Sequence, residues 1–464
     1  MSVLGCAVMC AAPARANIID RPVAQNTGSA EPRIAIDPRD PQTIVVGKND
    51  SGVAVSHDGG ETFRQIDLPN PGDAAVTVGA NGVFFFTALD GDIRMSADHG
   101  DTWTTVGNWV GAVAAQSSAA RPIPGGPVVV REVGCNTPHP DGPLDPAKPD
   151  GPGVHKIGCD RPWLTADRDT GTLYASFVDH DDNSGGLNAT GWEASTIGCK
   201  ASVIYNPIFA CGRQYVAASH DAGRTWSAFR ALDIYDMPAG PTGGFSSGVV
   251  AAGGVLGAAY ISSTSPLHAD CPCLVFETSE DDGISFTRHV VTARVPLPSA
   301  GPANATNVLG GEQTQLFEPY LAGDPKHPGH YAVMIADTNM SQLLVWSTRD
   351  AGATWEGPAK LTDPFGTQRH LPWLAIGPSG ALGAMWRSTT TDGSYTVWAA
   401  VAEDGDTDFG APVLLSSAPS PAPVQALAGD DNSDVTMTRD ALHAVWGDRR
   451  DGSLGDRYGR YDFG

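Results

Sequence analysis

An eight-residue pattern, Ser/Thr-x-Asp-x-Gly-x-Thr/Ser-Trp/Phe, recurs along the chain and limits the folds that it can adopt. The clear copies are SHDGGETF, SADHGDTW, SHDAGRTW, SEDDGISF and TRDAGATW, with aspartates at 58, 98, 221, 281 and 350. A decayed sixth copy, AEDGDTDF, keeps Asp404 and Phe409 in register. Each position suits a turn between strands, since Asp accepts backbone N–H groups and Gly adopts positive φ. The aromatic residue can pack beneath the turn. The pattern therefore predicts a repetitive all-β fold.

Strand-like segments precede each copy of the pattern. In the first unit they are PRIAID, TIVVGKND and GVAVS, and six units align in this way. A seventh unit, NSDVTMT, ALHAVWGD and GDRYGRYDF, ends at Gly464 without the pattern. Stacked units of this size are typical of a β-propeller. We expect seven four-stranded antiparallel blades, with Asn17–Thr27 adding the outer strand that the last unit lacks and so closing the ring.

Composition agrees with short strands joined by turns, because the chain has 55 Gly, 36 Pro and only 17% charged residues. Asp and Glu number 52 against 29 Lys and Arg, for a net charge of −23. Such an acidic chain is a poor ligand for nucleic acid or for an anionic membrane. We expect one propeller domain over residues 17–464, present as a monomer.

The N-terminal residues indicate export. Val3–Ala12 is apolar, and Ala14-Arg15-Ala16 is typical of a signal-peptidase site, so residues 1–16 are predicted to be a signal peptide. The segment VLGC, ending at Cys6, offers lipid anchoring as an alternative. The protein is thus expected to be secreted or otherwise extracytoplasmic, including the periplasm. No later segment is apolar for long enough to span a bilayer.

Cysteines that would remain after cleavage are even in number: 135, 159, 199, 211, 271 and 273. An even number in an exported chain favours disulfides. Zinc is a weaker alternative, since the Cys-Pro-Cys at 271–273 has no second pair at finger spacing. Cys135–Cys159 and Cys199–Cys211 are candidate pairs, although sequence leaves the connectivity open.

The repeat and its strand spacing resemble the Asp-box, or bacterial neuraminidase repeat, of sialidase-like β-propellers. In that family the boxes lie on the periphery of the blades, which implies a structural role for them here. Sialidase catalytic domains have six blades, so a six-bladed ring is the alternative to the seven that the strand units predict.

One face of a propeller carries the loops that lead into each innermost strand, and we call it the upper face. The long insertions around residues 115–159 and 180–212 fall on this side, where repeat proteins often bind ligands. Residues that lead into the innermost strands should surround a central pocket: Glu31, Arg33, Asp73, Asp160, Arg161, Trp163, Glu318, Tyr320, Arg369, His370, Trp373, Asp431 and Asn432. Arg387 and Arg449 follow second strands and are expected at its rim.

Two interpretations of these residues remain open. Arginine forks match carboxylates and Trp faces suit sugar rings, which favours an acidic sugar as ligand. The alternative is that the charges pair with one another and brace the ring. A basic pocket would explain how so acidic a protein attracts an anionic oligo- or polysaccharide.

The resemblance implies a glycoside hydrolase acting on sialic acid or a uronate. Sialidases hold the substrate carboxylate with arginines and use a tyrosine nucleophile, because an anionic nucleophile would be repelled. The matching roles here are nucleophile for Tyr320, base for Glu318, acid for Asp73 or Asp160, and carboxylate clamp for Arg33, Arg161 and Arg369.

Two other functions stay open. A seven-bladed polysaccharide lyase would neutralise a uronate with the same arginines and take its C5 proton with His370 or Tyr320. A propeller that only binds glycans or proteins is the third, because a fold does not fix a function.

No cofactor is required for any of these functions. The segment DHDDNSGG offers Asp179, Asp181 and Asn183 as ligands for structural calcium, against the alternative of a solvated acidic loop.

Overall fold

The computed structural model describes the backbone of residues 18–23, 30–49, 51–69, 72–109, 132–133, 156–181, 213–227, 229–232, 237–238, 248–264, 270, 273–295, 319–337, 339–403, 407–421 and 432–464. The chain forms a seven-bladed, all-β propeller of four-stranded antiparallel blades, as the strand units predict. Within these ranges, no helix is long and apolar enough to cross a membrane.

The first two blades are regular. Blade 1 consists of β2 (Arg33–Ile36), β3 (Ile44–Lys48), β4 (Gly52–Ser56) and β5 (Arg64–Ile66). Blade 2 consists of β6 (Ala75–Val78), β7 (Phe84–Thr87), β8 (Asp92–Ser96) and β9 (Thr104–Asn108). Apolar side chains fill the space between them, where Val45 and Val55 pack with Phe84 and Phe86.

The next two blades each carry a short additional strand. Blade 3 consists of β11 (Lys156–Ala166), β12 (Leu173–Asp181), β13 (Arg213–Ser219) and β14 (Arg230–Ala231), with β10 (Glu132–Val133) parallel to β11. Blade 4 consists of β16 (Val250–Ala252), β17 (Val255–Thr264), β18 (Cys273–Ser279) and β19 (Thr287–Ala293), with β15 (Met237–Pro238) paired to β17. The insertions predicted around 115–159 and 180–212 lie mostly outside the described residues.

The last three blades complete the ring. Blade 5 consists of β20 (Tyr320–Gly323), β21 (Tyr331–Ala336), β22 (Leu343–Thr348) and β23 (Glu356–Leu361). Blade 6 consists of β24 (Gln368–Ile376), β25 (Leu382–Thr389), β26 (Tyr395–Ala402) and β27 (Val413–Leu414). Blade 7 consists of β28 (Ser433–Met437), β29 (Ala441–Asp448), β30 (Gly455–Asp462) and, from the other end of the chain, β1 (Ile18–Pro22).

The N-terminal strand closes the ring, as predicted for Asn17–Thr27. β1 pairs antiparallel with β30, with Ile18 opposite Tyr461 and Pro22 opposite Arg457. The buried Asp20 carboxylate fastens this strand: Oδ2 accepts hydrogen bonds from the backbone N–H of Ser417 (2.6 Å) and from Arg450 (2.8 Å), and Oδ1 accepts from Arg457 (2.7 Å). The free edge of the last blade is thereby covered.

Asp20→Asn is expected to lower the free energy of unfolding at neutral pH by about 1–3 kcal/mol, since it weakens charge-assisted hydrogen bonds. The loss is moderate because Arg450 and Arg457 also pair with Asp448 and Asp451. Burial opposes ionisation of Asp20, but bonds from Ser417 and Arg457 and the Arg450 charge hold its pKa below the ordinary value.

The carboxylate therefore stabilises the fold above the ordinary Asp pKa, and this contribution is lost as pH falls through the lowered pKa of the folded state. In urea unfolding, the difference in unfolding free energy between wild type and Asp20→Asn should be present at pH 7 and smaller in acid. An equal difference in unfolding free energy at pH 7 and in acid would contradict an ionic role for Asp20.

The repeated pattern forms one turn geometry at all five clear copies. Around Asp58, Oδ1 accepts the backbone N–H of Thr62 (2.9 Å) and Oδ2 accepts its hydroxyl (2.6 Å), while the N–H of Gly60 donates to the Ser56 hydroxyl (2.9 Å). The corresponding bonds recur around aspartates 98, 221, 281 and 350. Each turn joins the third strand of a blade to the fourth, far from the ring axis, and the predicted turn chemistry is confirmed. The sixth copy lies partly outside the described residues.

Gly60 shows why the pattern requires glycine. Its φ is 92°, in the left-handed region, and a Cβ there would lie 2.1 Å from the Tyr458 ring of blade 7. Both conditions exclude other residues.

Asp221→Ala is expected to lower the free energy of unfolding by about 1–3 kcal/mol, because it removes the acceptor of three turn hydrogen bonds. Any ligand binding or turnover by the folded variant should be unchanged, since the turn is peripheral. Urea unfolding is the measurement, and the exposed Asp408, changed to Ala, is the control with no expected effect. A stable Asp221 variant that has lost its function would place the chemistry at the turns.

One cysteine of the upper face is described with its side chain. Cys273, the first residue of β18, is disulfide-bonded. The candidate pairs Cys135–Cys159 and Cys199–Cys211 lie outside the described side chains, and they stay predictions.

Candidate functional site

Four side chains from four blades meet on the ring axis, at the upper face. The Arg33 guanidinium carbon lies 3.7 Å from the ring centre of Trp163 and 4.6 Å from that of Trp373. The two indoles are 5.2 Å apart, and Tyr320 meets Trp373 edge to face at 5.0 Å. We call Arg33, Trp163, Tyr320 and Trp373 the axial cluster. Sequence placed all four around one pocket, and the structure brings them into contact.

The same backbone device positions both indoles. Proline directly precedes each, and the strand pairing shifts register just before Trp163 and before Trp373, as at a β-bulge. Arg161 and Leu371, two residues before the indoles, have φ of 48° and 45°. A left-handed conformation costs a non-glycine residue roughly 1–2 kcal/mol. Strain of this kind, repeated in two blades, is typical of functional sites.

Blade 4 leaves room for Trp163 by carrying a glycine. A Cβ on Gly248 would lie 2.4 Å from the indole ring, and its φ is 78°. A side chain at this position would displace Trp163 from the axial cluster.

No described residue accepts a hydrogen bond from the indole N–H group of Trp163 or of Trp373. Trp163 is 9% exposed and Trp373 is 5% exposed, and each Nε1 is buried with no hydrogen-bond partner within the described part of the chain. Buried donors in native proteins are nearly always paired with protein, water or ligand. An oxygen atom of a ligand or of an ordered water molecule would therefore accept a hydrogen bond from each of these two N–H groups.

Asn432 holds two of the predicted arginines. Its Oδ1 accepts from Arg33 (3.0 Å), and its backbone carbonyl accepts from Arg387 (3.0 Å). Arg33 also donates to the carbonyl of Ser433 (3.0 Å), and Arg387 donates to the Ser433 hydroxyl. Arg387 is fully buried and links blade 6 to blade 7 beneath the cluster.

Asp434 is a titratable group beside the axial cluster that sequence reasoning did not single out. Its carboxylate accepts the backbone N–H of Ile34 (2.9 Å) across the junction of blades 7 and 1. Desolvation raises the pKa of Asp434 to about 6, against the opposing effect of the Arg33 charge. The only sequence signal was its alternation with Asn432 along the start of an innermost strand.

Arg369 and His370 lie apart from the axial cluster. Arg369 donates to the Asp363 carboxylate (3.0 Å), the Asp363 carbonyl (2.7 Å) and the Ser341 carbonyl (2.7 Å). His370 is buried and bonds the Thr389 hydroxyl (2.8 Å). Burial and the neighbouring Arg387 charge lower the pKa of His370 to about 3, so it is neutral at physiological pH.

Asp73 and Arg161 lie together at the junction of blades 2 and 3. Asp73 Oδ2 accepts the backbone N–H of Arg161 (3.2 Å), and Arg161 is 5% exposed. Asp73 shares the left-handed conformation of Arg161, with φ of 50°. Arg449, which was expected at the rim of the pocket together with Arg387, donates its backbone N–H to the Ser420 hydroxyl (3.0 Å).

The remaining predicted site residues are only partly described. Glu318, Asp431 and Asn183 lie outside the described residues, and only the backbone is described for Asp160, Asp179 and Asp181. Asp179 pairs with Cys159 in blade 3. Among described residues, no group of three or more His, Cys, Asp or Glu side chains is arranged to hold a metal ion. The calcium site stays a prediction.

A cavity of about 170 Å³ lies on the axis in the other half of the ring. Its walls come from the ends of all seven innermost strands, such as Val78, Ala166 and Met437. We call the side where these strands end the lower face. Sequence reasoning did not anticipate a cavity here.

Comparisons with solved structures find distant β-propellers. A protein of unknown function from Dyadobacter fermentans aligns with a TM-score of 0.48 and 12% identity, over 96% of this chain and 99% of that one. A Hadza microbial sialidase aligns at 0.44 and 14%, over 90% and 73%. The intramolecular trans-sialidase from Ruminococcus gnavus aligns at 0.44 and 11%, over 94% and 96%. These likenesses concern the fold and carry no argument about activity. No protein-family model and no curated protein matches the chain.

Proposed function

We propose that this chain is a secreted glycoside hydrolase that acts on an acidic sugar, sialic acid or a uronate, at the upper face. The axial cluster supports the proposal. Two aromatic faces and two buried N–H donors without described acceptors suit a ligand rich in hydroxyl oxygens. A guanidinium between the rings adds the positive charge that an acidic sugar requires.

The proposed chemistry uses residues that converge from different blades. Tyr320 is the nucleophile at the anomeric carbon, with Glu318 as the base that takes its proton. Asp73 or Asp160 protonates the leaving oxygen, and then deprotonates the water that releases the sugar from tyrosine. Arg33 is the member of the predicted clamp that lies in the axial cluster. Arg161, a second member of that clamp, donates its backbone N–H to Asp73, one of the two proposed acids.

Calcium remains a proposed structural ion at Asp179, Asp181 and Asn183, with no part in the reaction.

A propeller that binds acidic glycans without cleaving them is the second candidate. The bonding of Arg369 and Arg387 to neighbouring blades and loops favours it, since neither guanidinium is presented as a substrate clamp. Tyr320 is also only 2% exposed. Nothing in the described residues favours the lyase, whose candidate base His370 is buried.

Incubation with a panel of sialosides and uronate glycans distinguishes these functions. Hydrolysis releases a saturated acidic sugar, a lyase forms an unsaturated uronate that absorbs in the ultraviolet, and a binding protein does neither but titrates with the glycan. Tyr320→Phe should lower hydrolysis by at least about 100-fold, because it removes the nucleophilic oxygen.

Tyr331→Phe is the matched control for that variant. Tyr331 lies in the same blade and donates to the carbonyl of Val255 (2.8 Å), far from the reacting groups. It should change stability and leave turnover per folded molecule unchanged. Equal loss in both variants, or no acidic glycan bound or cleaved, would contradict the proposal.

A further inference from the structure

The axial cavity of the lower face has a positively charged wall. Among the described residues that line it, Arg168 is the single charged side chain, and it follows the innermost strand of blade 3. No described residue forms a hydrogen bond with the Arg168 side chain or an ion pair with it within 4.0 Å. An ionised group that is partly desolvated and unpaired is costly, so the site is suited to a counter-ion.

The carboxylate of Asp37 acts electrostatically on Arg168, and it is already engaged by other groups. Asp37 is fully buried and accepts the backbone N–H of Arg39 (2.9 Å), the Arg39 Nε (3.4 Å), and contact from His99 (3.4 Å). Burial lowers the pKa of Arg168, and the Asp37 charge acts in the opposite direction. A guanidinium remains charged in either case.

Threonine residues from three blades line the cavity together with Arg168. They are Thr77, Thr165 and Thr436. The Thr77 oxygen already accepts the backbone N–H of Ala166 (3.1 Å), which leaves its O–H group to act as a donor. A guanidinium and O–H donors around one small space match the oxygens of a carboxylate or a phosphate.

Asp167 and Asp324, two other carboxylates of the lower face, are not among the described residues that line the cavity. Asp167 accepts the backbone N–H groups of Asp169 (2.8 Å) and Gly254 (2.6 Å). Asp324 accepts from Lys326 N–H (2.8 Å) and contacts His330 (2.8 Å). Both shape the turns that follow innermost strands, and neither carboxylate forms an ion pair with Arg168 among the described residues.

We propose that the lower-face cavity binds a small oxyanion, a carboxylate or a phosphate, between Arg168 and the threonine hydroxyls. A volume of about 170 Å³ is close to the roughly 150 Å³ that holds one benzene molecule in an engineered cavity. An oligosaccharide does not fit. The site is therefore separate from the upper-face site, and it stands whether or not the protein is a hydrolase.

Calorimetric titration of the whole chain with sodium acetate and with sodium phosphate tests the site, with chloride fixed in both. We expect one anion to bind per protein molecule. Tighter binding of acetate would indicate a site for a planar carboxylate, and tighter binding of phosphate a site for a tetrahedral oxyanion. Arg168→Gln, close in size and uncharged, should weaken binding at least about 10-fold, as expected for loss of a charge-assisted pair. Thr436→Val should weaken it less.

Arg64→Ala is the matched control, because it also removes one arginine, pairs with the exposed Asp101 and does not line the cavity. It should leave the affinity unchanged. If Arg168→Gln fails to fold, Thr436→Val decides: weaker binding than in Arg64→Ala supports the site, and equal binding contradicts it. Binding of neither anion to the wild type, or equal affinity in the Arg168 and Thr436 variants, would overturn the proposal.

Discussion

Arg369→Ala is expected to lower the free energy of unfolding by about 3–5 kcal/mol, the cost of leaving a buried carboxylate without its cationic partner. That carboxylate belongs to Asp363, whose side chain is fully buried and also accepts from Trp386 (2.9 Å) and Ser388 (2.8 Å). The sequence pattern suggested that Arg369 holds a substrate carboxylate. The structure shows it bonded to a carboxylate of the protein itself.

Urea unfolding measures the effect, and Arg64→Ala provides the comparison. Arg64 pairs with Asp101 on the exposed surface. Removal of an exposed ion pair should cost about 1 kcal/mol or less. A folded Arg369→Ala protein of normal stability that has lost its activity would show instead that this guanidinium contacts substrate.

Arg33→Ala is expected to reduce kcat/KM on the acidic substrate by about 30- to 1000-fold, equivalent to about 2–4 kcal/mol of transition-state stabilisation. Arg33 is the guanidinium that contacts both indoles of the axial cluster and is fixed by Asn432. Arg33→Lys should recover only part of the rate, because an ammonium has no planar fork to stack or to bond bidentately.

Two further measurements separate positioning from stability in this variant. Unfolding in urea gives the folded fraction, to which the rates are normalised. If the protein only binds glycans, the same fold-change should appear in the dissociation constant. If folded Arg33→Ala retains the full rate and affinity, the axial cluster is not part of the functional site.

The fold was predictable because its constraints are local and repeated. Asp58, Gly60 and their four counterparts specify the same turn wherever they occur, and each turn fixes the register of the strands before it. Counting strands then left blade 7 one short and β1 unassigned, and the pairing of Ile18 with Tyr461 confirms that they combine.

The site was only partly predictable, since it depends on contacts between blades. Arg33, Trp163 and Trp373 all lie in innermost strands, which surround the axis in any propeller. Arg369 lies in an innermost strand too, but its side chain bonds Asp363, in the loop before that strand.

Asp434 and Arg168 show the same limit. Their importance arises from desolvation at the axis and from a cavity assembled by seven strands. Neither the desolvation of a side chain nor the lining of a cavity can be read from a local sequence pattern.

The pairing of β1 with β30 also sets an order of events during synthesis. The first strand of the domain must wait, unpaired, until the last strand has been made, because the two are its opposite ends. Six blades can form from neighbouring segments with low contact order, whereas the seventh requires the slowest loop closure in the chain. During that interval two strand edges are open to other chains, so ring closure is the step most exposed to aggregation.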